Sequence, residues 1–295
     1  MIYTFWSSSN YNLPNLIKQE LIKYSYVFNP SYVKYNHIHY LAIRVYCKKK
    51  KAVLSLLYIW DRVDSFETFD LSKYFKNKIN LNKVADPKLF IMNKSVWCTF
   101  NSGYVEKGNN NIVLFKLNKN CISDYYNCFF SERNKIEKNW AFFYKDDSIH
   151  VLYDLNSLTI LKEESKNDNK LIFREYVKKN NFNRSYSIGT PLVVLKENVY
   201  GFIGHKKINR KNKRLYLGSF FKLNTETMIC EKKQGLYIHS LKSLLGVKFK
   251  FNKNLISCTY FSGLYKLDKD YVIIGYGIND VDWRLKKIKI NKLWR

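Results

Sequence analysis

An acidic residue stands at the start of an apolar run in the segment VADPKLFI, residues 84–91. Asp86 is followed by Pro87, which cannot donate a hydrogen bond to a sheet ladder, and by the base Lys88. A carboxylate is costly to bury without a partner, so a strand interior suits it poorly. Two interpretations follow: Asp-Pro forms an ordinary turn before the strand, or Asp86 lies at the mouth of a site and acts as an acid.

Similar polar openings recur along the chain. Three of the four prolines begin apolar runs, in NPSYV, DPKLF and TPLVV, at intervals of 57 and 104 residues. KNWAFF falls midway through the longer interval, and FSGLYKL, residues 261–267, follows as a fifth opening. Equivalent strand ends converge at one mouth in a radially repeated fold. The spacing therefore predicts one pocket surrounded by Asn29, Asp86, Asn139 and Thr190.

The elements that would position these residues are short strands. Runs such as HYLAIRVYC, AVLSLLYIW and DYVIIGYG recur between short polar turns, and helical periodicity is confined to residues 13–25 and 242–246. The abundant Val, Ile, Tyr and Phe also favour strands. Five openings roughly 50–70 residues apart predict five blades of about four strands each. We expect an all-β fold in which residues 1–295 form a single five-bladed β-propeller catalytic domain; an irregular β-sandwich is the alternative.

The charge of the chain limits its partners. The 295 residues include 51 Lys and Arg against 24 Asp and Glu, a formal net charge of +27, which attracts polyanions such as nucleic acid, anionic lipid or acidic glycans. Zinc-finger spacing, a basic helix with heptads and an RRM-like motif are all missing, so nucleic acid is not the predicted partner. The first residues lack the order of a signal peptide, and the apolar runs are shorter than a membrane span. We expect a cytoplasmic protein, with peripheral contact at the inner face of an anionic membrane left open.

The cysteines and histidines show no pattern typical of a metal site. No CxxC pair occurs among Cys47, Cys98, Cys121, Cys128, Cys230 and Cys258, several of which lie in apolar runs. Reduced core thiols are the expected state, and neither a metal nor a cofactor is predicted.

The order of eight motifs resembles that of the mannoside phosphorylases, glycoside hydrolase family 130, and of related β-mannosyltransferases. FNPSYV, YLAIRV, DPKLF, KNWAFF, GTPLVV, GFIGH, YLGSFFKLN and YGIND follow one another between residues 28 and 280. The resemblance implies a five-bladed propeller and an inverting glycosyl transfer, with a mannose-type sugar preferred. It implies that Asp86 is the catalytic acid, whose proton reaches the glycosidic oxygen through a sugar hydroxyl.

The implied substrates follow from the same chemistry. An inverting hydrolase uses a second carboxylate to activate water, whereas phosphate arrives as an anion and needs no base. The expected partners are therefore a sugar phosphate or nucleotide sugar as donor and an oligosaccharide or lipid-linked glycan as acceptor. No further carboxylate is evident in the sequence where a hydrolase would need its base, which favours transfer.

The resemblance also implies binding residues. It assigns sugar contacts to Asn29, Ser31, Arg44 and Asp280, and phosphate contacts to His205 and Tyr216. Position adds Lys138 as a phosphate contact and Asn139 and Thr190 as sugar contacts. Trp140 could stack on a sugar face or equally fill the core.

The sequence departs from the family pattern at residues that bear on the substrate. Lys88, which we also expect to contact the sugar, replaces the arginine that usually follows Asp-Pro, which keeps the charge but loses the bidentate fork. SIGTP lacks an arginine before Gly-Thr-Pro, unless Arg184 reaches in. A β-mannoside hydrolase on the same scaffold and a non-catalytic propeller that binds glycans or polyanions remain alternatives.

Overall fold

The computed structural model describes residues 2–5, 8–118, 121–180, 185–210, 213–244 and 250–294. Strands dominate these ranges. They are β1 (Ile2–Thr4), β2 (Tyr26–Tyr35), β3 (Ile38–Cys47), β4 (Ala52–Trp60), β5 (Glu67–Asp70), β6 (Ala85–Met92), β7 (Ser95–Asn101), β8 (Ile112–Asn118), β9 (Cys121–Phe130), β10 (Ala141–Lys145), β11 (Ser148–Asp154), β12 (Ser157–Asn167), β13 (Lys170–Asn180), β14 (Tyr186–Ile188), β15 (Val193–Lys196), β16 (Val199–Arg210), β17 (Lys213–Asn224), β18 (Ile229–Lys232), β19 (Leu236–Ile238), β20 (Leu255–Lys266), β21 (Tyr271–Ile278) and β22 (Asp282–Lys289). The helices are α1 (Asn15–Ile22), α2 (Leu71–Ile79), α3 (Ile290–Leu293) and a 3-10 helix at Leu241–Leu244. The all-β prediction is confirmed.

Successive strands form antiparallel runs. The first three runs have four strands each: β2–β5, β6–β9 and β10–β13. In the fourth run β16 pairs with β14, β15 and β17, and β17 also pairs with β18. The last run consists of β20–β22. Parallel pairing of β9 with β13 and of β17 with β20 merges four of the runs into larger sheets. The curled sheets are consistent with a β-propeller-like fold. The number of blades stays a prediction.

Five apolar clusters fill the space between neighbouring runs. The first cluster joins β2–β4 to β6–β8, the next joins β6–β9 to β10–β13, and two more link the following runs in turn. The remaining cluster packs β2–β4 and α1 against β21 and β22, so the last run meets the first. Strands such as β2, β7 and β21 therefore bury both of their faces, which explains the near-continuous apolar runs of the sequence.

Three strand openings share one backbone conformation. Asn29, Asp86 and Asn139 all have positive φ, at 54°, 51° and 67°. The ladder register shifts between Phe28 and Ser31 and between Ala85 and Lys88, which marks a bulge at Asn29-Pro30 and at Asp86-Pro87. Asn and Asp tolerate this left-handed region better than most residues do. The bulges turn these side chains away from the regular alternation of the strand.

The predicted helical segments are partly confirmed. Residues 13–25 contain α1, and residues 242–244 belong to the 3-10 helix, whereas 245–246 lie outside the described residues. The side chains of Cys47, Cys98, Cys128 and Cys258 are free thiols. No helix in the described ranges combines the length and apolar character needed to cross a bilayer.

Candidate functional site

A cavity of about 460 Å³ lies beside the openings of β2 and β6. Six predicted site residues line it: Asn29, Arg44, Asp86, Lys138, Tyr216 and Asp280. They come from five separate parts of the chain, which the fold brings to one place. Phe28, Val53, Phe251 and Leu255 supply the apolar part of the wall.

Asp86 is the most tightly held group of the cavity. Its Oδ1 accepts hydrogen bonds from Asn29 Nδ2 at 2.9 Å and from Arg44 Nη1 at 2.8 Å. Burial acts to raise the pKa of Asp86, but the charge of Arg44 and the hydrogen bond from Asn29 outweigh it and lower the pKa to about 2. Asp86 is therefore a carboxylate anion at neutral pH. Asp86 lies both at the bulge that opens β6 and on the wall of the cavity, so the turn and the site interpretations of VADPKLFI are compatible.

Asp280 is the second carboxylate of the cavity, and its electrostatic environment is different. It lies in the turn between β21 and β22, with φ 58°. Burial raises its pKa, Arg44 opposes this, Asp86 adds to it, and the resulting value is about 6. The two aspartates of the cavity therefore have different pKa values. Enzyme sites use such a difference to keep one carboxyl group as a proton donor and the other as an anion.

Cations outnumber the two carboxylates. Arg44, Lys83, Lys138 and Arg214 all line the cavity. Burial and the charge of Arg44 lower the pKa of Lys83, which shows that like charges crowd one another here. Such a set of donors is suited to holding an anionic group such as phosphate.

A second group of polar side chains lies next to the cavity. Asn139 Oδ1 accepts from Lys88 Nζ at 2.6 Å and from Tyr260 OH at 3.0 Å, and Lys88 Nζ lies 5.9 Å from the centre of the Tyr260 ring. Lys88 is 3% exposed, and burial lowers its pKa to about 7. Its charge contributes to the low pKa of Asp86. Lys88 and Asn139 therefore hold Tyr260, a residue of the cavity wall, in place.

His205 is buried, and one of its ring nitrogens is engaged. The backbone N–H of Phe261 donates to His205 Nε2 at 2.8 Å, which requires that nitrogen to be unprotonated. Burial and the charge of Lys88 lower the pKa of His205 to about 3. The imidazole is thus neutral and links β16 to β20. Its contact with phosphate stays a prediction.

Three further predicted residues hold strands and loops together. Ser31 Oγ accepts from Leu89 N at 2.8 Å, which links β2 to β6. Thr190 Oγ1 accepts from Ile203 N at 3.0 Å, and Trp140 Nε1 donates to the carboxylate of Glu137 at 2.7 Å. Ser31, Thr190 and Trp140 are at most 2% exposed, and Trp140 belongs to an apolar cluster. Their sugar contacts likewise stay predictions, and Arg184 lies outside the described residues.

Four polar residues of the wall were not predicted from the sequence: Lys83, Arg214, Asn252 and Tyr260. Arg214 ends the basic run of residues 206–214, which is equally typical of a solvated hairpin. Tyr260 directly precedes the fifth opening, FSGLYKL, so its position in the repeat could have identified it. Lys83 carries no signal beyond its closeness to Asp86. Within the described ranges, no cluster of three His, Cys, Asp or Glu side chains has the arrangement of a metal site.

Comparisons with known proteins identify the fold. No protein-family model and no curated protein matches the chain. A glycosyl hydrolase from Bacteroides ovatus is 10% identical, with 91% of this chain and 85% of that chain covered and a TM-score of 0.58. A GDP-Man-dependent mannosyltransferase from Leishmania mexicana is 12% identical, with 91% and 86% covered and a TM-score of 0.59. A β-1,2-mannobiose phosphorylase from Listeria innocua is 14% identical, with 92% and 91% covered and a TM-score of 0.54.

These likenesses define a class of fold. The chain has the nearly all-β fold found in the solved structures of a glycosyl hydrolase, a mannosyltransferase and a mannoside phosphorylase. Identities of 10–14% establish a shared fold, and function is argued from the site itself.

Proposed function

We propose that this protein is a carbohydrate-active enzyme that transfers a glycosyl group, of the mannose type, to or from a phosphate-bearing group. The donor would be a sugar phosphate or a nucleotide sugar, and the acceptor an oligosaccharide or a lipid-linked glycan. One observation carries the proposal: the anionic Asp86 lies in a cavity whose wall also holds Arg44, Lys83, Lys138 and Arg214.

The anion of Asp86 suits the sugar end of such a substrate. Glycosyl transfer passes through a transition state in which positive charge develops at the anomeric carbon. A fixed carboxylate stabilises that charge, and it also accepts a hydrogen bond from a sugar hydroxyl. Asn29 and Arg44 hold the carboxylate in place. In this proposal Asp86 is a catalytic residue of the sugar subsite.

The remaining cations suit the phosphate end. Lys83, Lys138 and Arg214 would neutralise the charge of the phosphate, with the Tyr216 hydroxyl as a further donor. Phosphate needs no general base when it attacks and is a stable anion when it leaves. The mannosyltransferase and the mannobiose phosphorylase with a similar fold support this class of substrate.

We further propose that the five antiparallel runs are the blades of a propeller. The ring of five apolar clusters supports this arrangement. A second cavity, of about 550 Å³, is lined by β2, β6, β10, β15 and β20, which are first or early strands of the five runs. The openings of β2 and β6 would then lie at one end of a central channel, as the spacing of the motifs predicts.

Product release from purified protein tests the proposed function. GDP-mannose and mannose 1-phosphate are incubated with mannose and manno-oligosaccharide acceptors, and released nucleotide or phosphate is measured. We expect wild-type turnover, and a loss of about 10²–10⁴-fold for Asp86→Asn. Asp282→Asn is the matched control, because Asp282 is a more exposed aspartate of the β21–β22 hairpin. Wild-type protein that releases neither product would refute the proposal.

A hydrolase is the second candidate, and the pair of carboxylates favours it. Asp86 and Asp280 both line the cavity, and hydrolysis of glycosides commonly uses two carboxylates. Incubation with β-mannosides in phosphate-free buffer separates the two functions. Free sugar released there identifies a hydrolase, whereas release that requires added phosphate identifies a phosphorylase.

A further inference from the structure

Asp280 is presented to the cavity by a backbone that the surrounding chain holds in place. Asn279 and Asp280 both have left-handed backbone conformations, with φ of 54° and 58°. Successive residues of this kind carry strain that neighbouring contacts must maintain. Asn279 provides those contacts: its Nδ2 donates to Ser243 O at 2.9 Å, and its Oδ1 accepts from Cys258 N at 2.8 Å. The turn therefore keeps Asp280 at the cavity wall.

The two aspartates differ in their partners. Asp86 accepts two hydrogen bonds through Oδ1, one of them from a guanidinium. The carboxylate of Asp280 accepts no hydrogen bond and forms no ion pair with the described part of the chain, although it lines the same cavity. An ionised carboxylate without partners is disfavoured in a recessed site, so Asp280 keeps its proton more readily than Asp86.

We propose that Asp280 donates or accepts the proton of the reaction, while Asp86 stays anionic. The proton moves to or from the sugar oxygen whose bond to the anomeric carbon is broken or made. This assignment rests on the proposed glycosyl transfer. It divides between two residues the roles that the sequence resemblance assigned to Asp86 alone.

The same proton moves in opposite directions on cleavage and on synthesis. On cleavage, the Asp280 carboxyl gives its proton to the glycosidic oxygen, which keeps the electron pair of the broken bond, while a phosphate oxygen bonds to the anomeric carbon. On synthesis, the Asp280 carboxylate takes the proton of the acceptor hydroxyl as that oxygen attacks, and the electron pair of the anomeric carbon–phosphate bond leaves with the phosphate.

The electrostatic environment supports this division of roles. A group that gives and takes a proton works best when its pKa is close to the ambient pH, and the pKa of Asp280 is about 6. Asp86, with a pKa of about 2, stays ionised at neutral pH and has no proton to give. The titratable and charged groups that interact electrostatically with Asp280 are Arg44, Asp86, Lys138, Arg214, Tyr216 and Cys258.

A titration of the free protein tests the ionisation directly and does not depend on enzymatic activity. The carboxyl carbons of ¹³C-labelled aspartates are followed by NMR against pH in wild type and in Asp280→Asn. We expect the resonance that Asp280→Asn removes to titrate near pH 6, and the one that Asp86→Asn removes to titrate below pH 4. A resonance of Asp280 that titrates near pH 4 would overturn the proposal.

Substrates whose aglycones differ in leaving-group ability test the chemical role of Asp280. Phosphate-dependent turnover of methyl β-mannoside and of dinitrophenyl β-mannoside is compared, because dinitrophenolate departs without a proton. We expect Asp280→Asn to lose about 10²–10⁴-fold on the methyl substrate and less than about tenfold on the dinitrophenyl substrate. The pH dependence near 6 should also disappear, whereas Asp86→Asn should lose activity on both substrates. Asp282→Asn, in the same hairpin, should match wild type.

The outcomes separate this inference from the proposed function. Equal losses of Asp280→Asn on the two substrates would assign Asp280 to sugar binding and overturn the proton role alone. No turnover of any mannoside or mannosyl donor by wild type would overturn the proposed function and the step assigned to Asp280 with it, whatever the NMR titration shows.

Discussion

The ion pair between Arg44 and Asp86 gives the sharpest test of the electrostatics of the cavity. The two side chains are 13% and 12% exposed, and Nη1 lies 2.8 Å from Oδ1. Arg44→Met keeps an unbranched side chain but leaves the carboxylate largely buried without its cation. The pKa of Asp86 is lowered from 3.8 to about 2, which corresponds to roughly 2 kcal/mol. Breaking a buried pair commonly costs about 3–5 kcal/mol, so we expect a loss of about 2–4 kcal/mol at neutral pH.

The sign of the pH dependence distinguishes this cause from a general packing defect. In wild type the pKa of Asp86 is lowered, so its stabilisation is present above about pH 4 and is lost as the pH falls towards 2. In Arg44→Met, burial raises the pKa of Asp86, and protonation relieves the unpaired charge as the pH falls from neutral. The difference in the free energy of unfolding between wild type and variant should therefore shrink between about pH 7 and pH 4.

Urea unfolding followed by tryptophan fluorescence measures this difference. Arg284→Met is the matched control, because Arg284 Nη1 also lies 2.8 Å from a carboxylate, that of Asp282, but the side chains are 33% and 46% exposed. Exposed pairs contribute about 0–1 kcal/mol. The reasoning is refuted if the two variants lose the same stability, or if the deficit of Arg44→Met does not change with pH.

Three further predictions concern the surroundings of the cavity. The lowered pKa of Lys88 means that the unfolded state binds more protons between about pH 7 and 10, so wild type should gain about 2 kcal/mol relative to Lys88→Met from pH 7 to 9 in urea titrations. In urea unfolding His205→Ala should lose about 1–3 kcal/mol because the Phe261 N–H is left without its acceptor, whereas His205→Gln, whose amide oxygen can accept, should recover part of the loss. Gly277→Ala would place a Cβ 2.0 Å from Asn29 Oδ1. It should lower the melting temperature and raise the pKa of Asp86, and an unchanged pKa would contradict this close approach.

The repeat of strand openings was readable from the sequence because it depends on local chemistry. Asn and Asp tolerate the left-handed backbone that most residues avoid, and Asn29 and Asp86 show that conformation directly before a proline. Asn139 shares it without a following proline, whereas Thr190 does not appear among the left-handed residues described. The motif spacing therefore identified the strand openings better than it identified their individual geometry.

Only some of the predicted ligands lie on the cavity wall. His205, Ser31 and Thr190 were singled out for their residue type and motif, yet each accepts a hydrogen bond from the backbone of another strand or loop. Residue type does not reveal whether a polar atom faces a cavity or a neighbouring N–H. That choice depends on which strands become neighbours, which local sequence does not encode.

The sequence by itself determined the all-β architecture, the polar strand openings and the place of Asp86 at one of them, because alternation, proline and turn chemistry act over a few residues. Only the tertiary structure decided the protonation of the site. Asp86 and Asp280 are 194 positions apart in the chain and have the same side chain. Their pKa values differ because Asn29 and Arg44 hydrogen-bond to one carboxylate, while the other is recessed without such partners.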